Sequence, residues 1–351
     1  MDDETSLYQR SISRRTLLKV AGMGAGALAL GDTLAVTPQS AEAATFYKGA
    51  DISWVPQMEA NGYIWKNASG VQQDILTILK GYGINAARLR TWVNPSSDPV
   101  NGHCSITETA AMAVRCKNAG LPVDIDFHFG DTWNSVGVQN PPAAWASMTY
   151  SQMLTTISNY VSNSMNVLKS NGVTPGWVQI GNEINSGICH PVGSLSKPAQ
   201  MTGLLNAAYA MVKQVFPSVP VLIHLAQPQN SSSIEAFFNA YVANGGKWDI
   251  SAFSSYGSGS STISGIISNI NTYKSLYGKP VMQVEFGGPE NRASRVETDL
   301  ESYITGMKSI GGLGVFYWEP EVYSPFSSYA MGAWDPTTKE PTIALNGFLN
   351  A

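Results

Sequence analysis

Residues 177–183 read WVQIGNE, a short and mainly apolar run that ends in Gly-Asn-Glu. An amphipathic pattern from Ser151 to Ser170 precedes this run, and another follows from Met201 to Val215. The run has the length of a buried strand, and its flanks have the periodicity of helices. A strand between two helices, with polar residues at its carboxyl end, favours a parallel sheet covered by crossover helices.

The same alternation repeats along the rest of the chain. Eight strands are predicted, at Tyr47–Ile52, Ala86–Leu89, Pro122–Phe127, Trp177–Ile180, Val219–Leu225, Ile250–Ser254, Pro280–Val284 and Leu313–Trp318. Helices are predicted between them, at Gln72–Gly81, Ile106–Asn118, Ser151–Ser170, Met201–Val215, Ser232–Ala243, Ile263–Tyr277 and Val296–Ser309. Eight such units, with no glycine-rich dinucleotide loop after the first strand, indicate an α/β fold that is a single closed (β/α)8 TIM barrel.

The amino-terminal residues have the pattern of an export signal. SRRTLLK at 13–19 is a twin-arginine motif, a Gly/Ala-rich uncharged run follows at 20–30, and Ala41-Glu42-Ala43 is a small-x-small cleavage site. The alternative, a transmembrane anchor, requires roughly 20 apolar residues, which is about twice the length of this run. We therefore expect a twin-arginine signal peptide at 1–43, a catalytic domain at 44–351, a secreted or periplasmic location and no stable membrane anchor after cleavage.

Composition and charge limit the classes of ligand that the protein can bind. The net charge of −4 argues against a nucleic-acid partner, because phosphates require a basic surface. Few charged residues (13%) and many aromatic ones (10%) suit a protein that binds sugars. The cysteines leave two alternatives open, a bridge between Cys104 and Cys116 or unrelated core thiols, and Cys189 forms no CxxC zinc motif with either. Nothing in the sequence indicates a cofactor, and we expect a monomer.

Polar or aromatic residues follow every predicted strand, at the face of the barrel where active sites lie. In strand order they are Asp51 and Ser53; Arg88, Arg90 and Trp92; Asp126, His128, Asp131 and Trp133; Asn182 and Glu183; His224; Tyr256; Glu285; and Trp318 and Glu319. A barrel with a purely structural role has no need of such a complete set. We expect these residues to form a substrate-binding site at the mouth of the barrel.

Glu183 and Glu285 are the candidate catalytic residues. They follow strands four and seven, which lie on opposite sides of a barrel, so their carboxyl groups can face each other across the mouth. Retaining glycosidases use two carboxyl groups about 5–5.5 Å apart, one as general acid and one as nucleophile. An arginine, Arg88 or Arg90, near Glu285 would favour its charged form, whereas burial without a cation would raise the pKa of Glu183. The alternative is that each glutamate is a salt-bridged strand-end residue.

A cluster of acids and a histidine follows the third strand and also fits a metal site. Its members are Asp124, Asp126, His128 and Asp131. A metallohydrolase normally supplies further ligands from other strands, and only His224 is available at such a position. We therefore interpret the acids as hydrogen-bonding partners of Arg88 or Arg90 and of the substrate, with no metal.

Three tryptophans lie at or beyond strand ends. The indole faces of Trp92, Trp133 and Trp318 can stack on the apolar face of a pyranose, although a tryptophan more often packs against its neighbours. Trp318 is next to Glu319 at the last strand, so we expect it to form the floor of the cleavage subsite. Asn182, directly before Glu183, is placed to bond the sugar 2-hydroxyl.

Five segments together resemble glycoside hydrolase family 53. They are YKGADIS at 47–53, RLRTWVNP at 88–95, DFHFGDTW at 126–133, GNEI at 181–184 and YWEP at 317–320. The resemblance implies a retaining clan A barrel with endo-β-1,4-galactanase activity on the galactan side chains of pectin. It also implies the acid/base role for Glu183 and the nucleophile role for Glu285.

The departures from the family pattern lie in the loops. A small residue followed by Asp-Pro becomes NSV at 134–136, a Trp-Pro pair becomes CHP at 189–191, and Tyr-Tyr-Pro becomes SYG at 255–257. A tryptophan is missing near Val322, and the segment after Glu285 lacks the acidic run of a calcium site. These changes leave two alternatives, a clan relative that cuts another β-linked glycan (mannan, glucan or exopolysaccharide) and a sugar-binding barrel without catalysis. Each alternative keeps a polysaccharide or oligosaccharide as the ligand.

Overall fold

The computed structural model describes residues 45–351, so the interpretation of residues 1–43 as an export signal lies outside the described residues. Within this range eight parallel strands form a closed barrel. The strands are β1 (Tyr47–Asp51), β2 (Ala86–Thr91), β3 (Val123–Phe127), β4 (Trp177–Ile180), β5 (Val221–Ala226), β6 (Ile250–Ser254), β7 (Val281–Phe286) and β8 (Gly314–Trp318). Each strand pairs with the next along the chain, and β8 pairs with β1, so the predicted (β/α)8 barrel is confirmed.

The helices surround this barrel. They are α1 (Val55–Ala60), α2 (Ile75–Gly81), α3 (Ile106–Asn118), α4 (Tyr150–Ser170), α5 (Pro198–Val215), α6 (Ser231–Ala243), α7 (Ser260–Tyr277), α8 (Ala293–Ser309) and α9 (Asn346–Asn350). Side chains fix several starts: Asp74 caps α2 through the backbone N–H of Thr77, so that helix begins three residues later than predicted. No helix within residues 45–351 has the length and hydropathy needed to cross a membrane.

Several short elements were not predicted. They are α1, α9, three turns of 3₁₀ helix (Ala143–Trp145, Glu290–Arg292 and Ile343–Leu345) and a hairpin that joins Gly187–Ile188 to Gly193–Ser194. Each is at most six residues long. Elements of this length are too short to show a hydrophobic period, so they depend on the tertiary contacts around them.

The interior of the barrel has an apolar floor and a charged upper layer. Trp177, Phe316 and Met282 belong to the buried cluster that fills the floor. Gly49 faces the ring of Phe316, and a Cβ atom at this position would lie 2.2 Å from that ring, so only glycine fits. Above the floor, the strand register places Asp51 beside Arg88. Charged side chains therefore collect at the carboxyl ends of the strands, on top of a packed apolar base.

All three cysteines, Cys104, Cys116 and Cys189, are buried free thiols. The alternative of unrelated core thiols is therefore the one found, and the bridge between Cys104 and Cys116 is not. Burial raises the pKa of Cys104 to about 11 and that of Cys116 to about 12. Both thiols stay protonated and unreactive at neutral pH.

Candidate active site

The chain turns sharply just beyond four of the barrel strands. Phe129, Glu183, Gln227 and Glu319 follow β3, β4, β5 and β8, and each has a positive φ between 47° and 58°. Residues other than glycine rarely adopt this left-handed conformation, and such strain is concentrated at functional sites. The turns aim side chains of these strands at the mouth of the barrel.

Arg88 on β2 is the centre of the charged layer. Its guanidinium nitrogens lie 2.7 Å from Asp51, 2.9 Å from Asp126 and 2.9 Å from Glu285. It also donates a 3.0 Å hydrogen bond to the side-chain oxygen of Asn182. The attraction of these carboxylates raises the pKa of Arg88 well above its usual range despite burial. One arginine thus connects β1, β3 and β7 and the residue before Glu183.

Glu285 is held firmly by its neighbours. One carboxyl oxygen forms an ion pair with Arg88 Nη1 at 2.9 Å, and the other accepts a hydrogen bond from the hydroxyl of Tyr256 at 2.9 Å. The pairing of β7 with both of its neighbours shifts register beside Gln283, which marks a bulge that re-aims the end of the strand. Burial raises the pKa of Glu285 to about 8, and Arg88 only partly opposes this shift. The arginine expected near Glu285 is present, but burial outweighs its effect on the pKa.

Glu183 has neutral surroundings by contrast. The hydroxyl of Ser254 donates to one of its carboxyl oxygens at 2.7 Å, and the backbone N–H of Val136 donates to the other at 3.3 Å. Within residues 45–351 no cationic side chain forms an ion pair with it. Its side chain is only partly buried. Glu183 therefore reaches the open mouth through a carboxyl group that uncharged donors hold.

The loop at 134–140 fixes the backbone that carries Glu183. Gln139 is buried, and its side-chain amide donates to the carbonyl oxygens of Asn182 at 2.8 Å and of Glu183 at 3.2 Å. In return, the amide of Asn182 donates to the carbonyl oxygen of Asn134 at 2.9 Å. Sequence reasoning missed Gln139, because no motif or period marks a glutamine in an irregular loop.

A second arginine, Arg90, supports the aromatic residues. It forms a buried ion pair with Glu319, and its guanidinium lies 4.5 Å from the ring centre of Trp133 and 4.9 Å from that of Trp54. Cations at this distance attract the faces of indole rings. Trp54, which the sequence did not single out, joins Trp318 at a ring separation of 5.3 Å.

The aromatic side chains form one group across the ends of β8, β1 and the loop after β3. We call it the aromatic cluster, and its members are Trp54, Trp133, Trp318, Phe326 and Tyr329. Trp133, Trp318 and Tyr329 remain partly exposed to the mouth. They pack edge to face against each other, an arrangement that leaves part of each ring uncovered.

Several residues expected to touch substrate instead lie beneath the site. Side chains exposed by at most 3% are those of Asp51, Arg88, Arg90, Trp92, Asp126, His128, His224 and Glu319. They act on the site through the groups that they hold, which corrects the expectation of direct sugar contact. His224, for example, lies 3.1 Å from the side-chain oxygen of Asn182, and burial lowers its pKa well below the usual value.

Asp131 also has a different place from the one expected. Its carboxylate accepts hydrogen bonds from the backbone N–H groups of Asn94 at 3.0 Å and Ala143 at 2.9 Å. These contacts join the loops after β2 and β3. Asp131 is therefore a loop-fixing residue, outside the group that surrounds the two glutamates.

The other acids after β3 surround an arginine. Asp126 bonds both Arg88 and His128, the latter at 3.0 Å. Asp124 lies 4.0 Å from Arg88, is fully buried and has no hydrogen-bond partner for either oxygen. Burial raises its pKa to about 7. Within the described part of the chain, no three His, Cys, Asp or Glu side chains are grouped as metal ligands.

A cleft of about 370 Å³ opens beside Glu183, and no member of the aromatic cluster lines it. Its walls come from the loop after β3 and from the ends of β4, β5 and β6. The lining residues are Ser135, Val136, Glu183, Ala226, Gln227, Gln229, Ser254, Ser255, Tyr256 and Gly257. We call this space the amide cleft, after its two exposed glutamines.

A barrel that presents one glutamate after β4 and another on β7, with open aromatic rings beside them, has the parts of a glycoside hydrolase that works with two carboxyl groups. The comparison with known proteins gives the family. The chain belongs to glycosyl hydrolase family 53, whose family model matches residues 47–300. The family resemblance seen in the sequence is confirmed.

Three relatives illustrate the similarity. A probable arabinogalactan endo-β-1,4-galactanase A of Aspergillus fumigatus is 31% identical over 307 residues, which cover 80% of this chain and 85% of that protein. A solved fungal β-1,4-galactanase superposes with a TM-score of 0.79 at 27% identity, covering 87% of this chain and 99% of that one. The family 53 catalytic domain of Ignisphaera aggregans gives 0.79 at 26% identity, with 86% and 95% covered.

Proposed function

We propose that this protein is a retaining endo-β-1,4-galactanase that cuts the galactan chains of arabinogalactan. Family membership and the galactanase names of its relatives support the reaction and the substrate. The observation that carries the mechanism is the unequal pair of glutamates at the mouth. Glu285 is bound by Arg88 and Tyr256, whereas Glu183 is bound only by neutral donors.

In the first half of the reaction, the carboxylate of Glu285 attacks the anomeric carbon of the galactose unit. The carboxyl group of Glu183 gives its proton to the glycosidic oxygen as the bond from that oxygen to the anomeric carbon breaks. The products are a galactosyl ester on Glu285 and a released galactan end. Arg88 and Tyr256 keep the attacking carboxylate fixed, so little reorganisation is needed.

In the second half, Glu183 is a carboxylate and takes a proton from a water molecule. The water oxygen attacks the anomeric carbon, the ester bond breaks, and Glu285 is released as a carboxylate. Two displacements at one carbon retain the β configuration.

Two further contacts would position the sugar. One amide hydrogen of Asn182 is bonded to Asn134, and the other is available to the 2-hydroxyl, a contact that strengthens in the transition state. The partly exposed rings of Trp318 and Trp133 offer apolar faces to the pyranose.

The test is release of reducing ends by the purified protein from β-1,4-galactan, beside mannan, xylan, β-glucan and arabinan. We expect release from galactan, abolished in Glu285→Ala and kept in Glu235→Ala, a matched change on the outer helix α6. Release from another glycan alone would contradict galactan as the substrate but would still support the hydrolytic mechanism. Binding of a glycan without release from any of them would overturn the enzymatic function.

We also propose export through the twin-arginine route, with a monomeric mature enzyme. The proposal is supported by the motif at 13–19 and the cleavage site at 41–43. Expressed with this leader in a bacterium, the enzyme should leave the cytoplasm, and a lysine pair in place of Arg14 and Arg15 should retain it there. Equal export of both forms would contradict the route, and the mass of the exported protein in light scattering tests the monomer.

A further inference from the structure

We propose that the amide cleft is the subsite for the leaving part of the galactan chain, and that Gln227 and Gln229 recognise its hydroxyl groups. This assignment rests on the proposed function. It names residues that bind the sugar on the leaving-group side of the glycosidic bond.

The first step concerns the position of the acid. A general acid must lie within hydrogen-bond reach of the oxygen that it protonates, and that oxygen leaves with the departing sugar. Glu183 lines the amide cleft, together with residues that follow β5 and β6. Glu285 is not among the residues that line this cleft, and neither is any member of the aromatic cluster. The departing sugar is therefore the one in the amide cleft.

The second step concerns the polar groups that remain free there. The hydroxyl of Ser254 is bonded to Glu183, that of Tyr256 to Glu285, and Ser255 accepts a hydrogen bond from Tyr303. Gln227 and Gln229 are exposed, and neither side-chain amide has a hydrogen-bond partner within residues 45–351. The side chains of the cleft that have no such partner in the described part of the chain are therefore the two amides and the exposed hydroxyl of Ser135, and of these only an amide carries separate donor and acceptor atoms.

The third step concerns how firmly these amides are presented. The backbone N–H of Gln227 donates to the carbonyl oxygen of Ser254 at 2.9 Å, and its carbonyl oxygen accepts from Asn230 at 2.8 Å. Gln227 holds a left-handed φ of 58° in this turn. An amide offers both a donor and an acceptor, which matches the hydroxyl groups of a sugar. The cleft therefore recognises a hydroxyl-rich leaving group through hydrogen bonds.

The test uses two substrates with the same glycone. In 4-nitrophenyl β-galactobioside the leaving group is an aryl alcohol, and in β-1,4-galactotetraose it is a sugar. The variants are Gln229→Ala and Gln227→Gly, because glycine accepts the left-handed turn without strain. Gln214→Ala, an exposed glutamine of α5, is the matched control.

We expect kcat/KM for the tetraose to fall about three- to tenfold in each variant, the scale of one lost hydrogen bond. The aryl substrate and the control variant should keep their rates, and melting temperatures should be unchanged. Equal losses on both substrates would place the cleft on the glycone side and overturn the assignment, as would no loss on either. If the wild-type protein cuts neither substrate, both the proposed function and this subsite are contradicted.

Discussion

Glu285 and Glu183 follow opposite strands of one barrel, yet their surroundings differ in every respect that matters for chemistry. Glu285 is buried, forms an ion pair with Arg88 at 2.9 Å and accepts a hydrogen bond from Tyr256 at 2.9 Å. Glu183 is partly exposed and accepts from Ser254 and from a backbone N–H. A cation and a phenol hold the first carboxyl group, whereas only neutral donors hold the second.

The difference fits two tasks that one kind of residue must perform. A nucleophile must be a carboxylate in a fixed position when it attacks, and Arg88 and Tyr256 favour that form against the burial that raises the pKa of Glu285. An acid that becomes a base must gain and lose a proton in each cycle, and a neighbouring cation would hinder this by favouring the carboxylate. Environment, rather than residue type, separates the roles.

Removal of Glu285, the proposed nucleophile, should have the largest effect. Glu285→Ala should lower kcat by about 10⁴-fold or more, the scale seen when a covalent nucleophile is removed. Added azide can enter the vacated space and attack an activated aryl β-galactobioside directly, giving an α-galactosyl azide. NMR of the product checks the configuration, and a β-azide would reverse the roles of the two glutamates.

Removal of Glu183, the proposed acid, should lower the rate less, by an amount that depends on the leaving group. Glu183→Ala should lower kcat by about 10²–10⁴-fold on galactan, the usual contribution of general acid catalysis. A dinitrophenyl galactoside leaves without a proton, so its first step should be little affected and a burst of phenolate should precede slow turnover. Azide should then give a β-galactosyl azide. Equal losses with both leaving groups would exclude Glu183 as the acid.

The pH profile tests the environment of Glu285. Burial raises its pKa to about 8, so the attacking carboxylate is lost as the pH falls through that value. With an activated aryl substrate, kcat/KM should fall about tenfold per pH unit below the pKa. Tyr256→Phe removes a donor to the anion and should move this limb to higher pH. A limb below pH 5 would mean that Arg88 outweighs burial.

Gln139 should have a smaller effect that is specific to the acid. Gln139→Met keeps the volume but removes the amide that holds the carbonyls of Asn182 and Glu183. A displaced acid should lower kcat on galactan about 10- to 100-fold and spare the dinitrophenyl substrate. Gln214→Met serves as the control for the side-chain exchange. A uniform loss on both substrates, with a lower melting temperature, would indicate a structural role only.

Asp124 should affect stability and leave activity within about threefold. Its pKa in the folded protein, about 7, lies above the usual 3.8 of an aspartate, so the folded state holds the proton more tightly. Stability should therefore fall as the pH rises from about 4 to 7. Asp124→Asn cannot ionise and so avoids this loss. The melting temperature of the variant minus that of the wild type should therefore increase by about 3 °C or more between pH 4 and pH 7. Parallel melting curves would contradict the shifted pKa.

The strand ends show how far sequence reasoning reached. The eight barrel strands were predicted because each combines an apolar run with a polar end, a pattern that local sequence contains. The burial of Arg90, Trp92 and Glu319 was not predicted, since a polar residue after a strand has the same pattern whether it faces solvent or a neighbouring strand. The bulge in β7 and the hydrogen bonds from Gln139 to the backbone of Asn182 and Glu183 likewise depend on segments far apart in the chain.

The sequence by itself determined the fold and the family and led to the prediction of two catalytic glutamates, because hydrophobic periodicity and short motifs are local properties of the chain. Only the tertiary structure decided what surrounds each glutamate. The single arginine on Glu285, the neutral donors on Glu183 and the free amides of Gln227 and Gln229 arise where separate strands meet. The tertiary structure sets how close these groups lie and how deeply they are buried. Distance, burial and charge in turn set the pKa of a carboxyl group and the chemistry of a cleft.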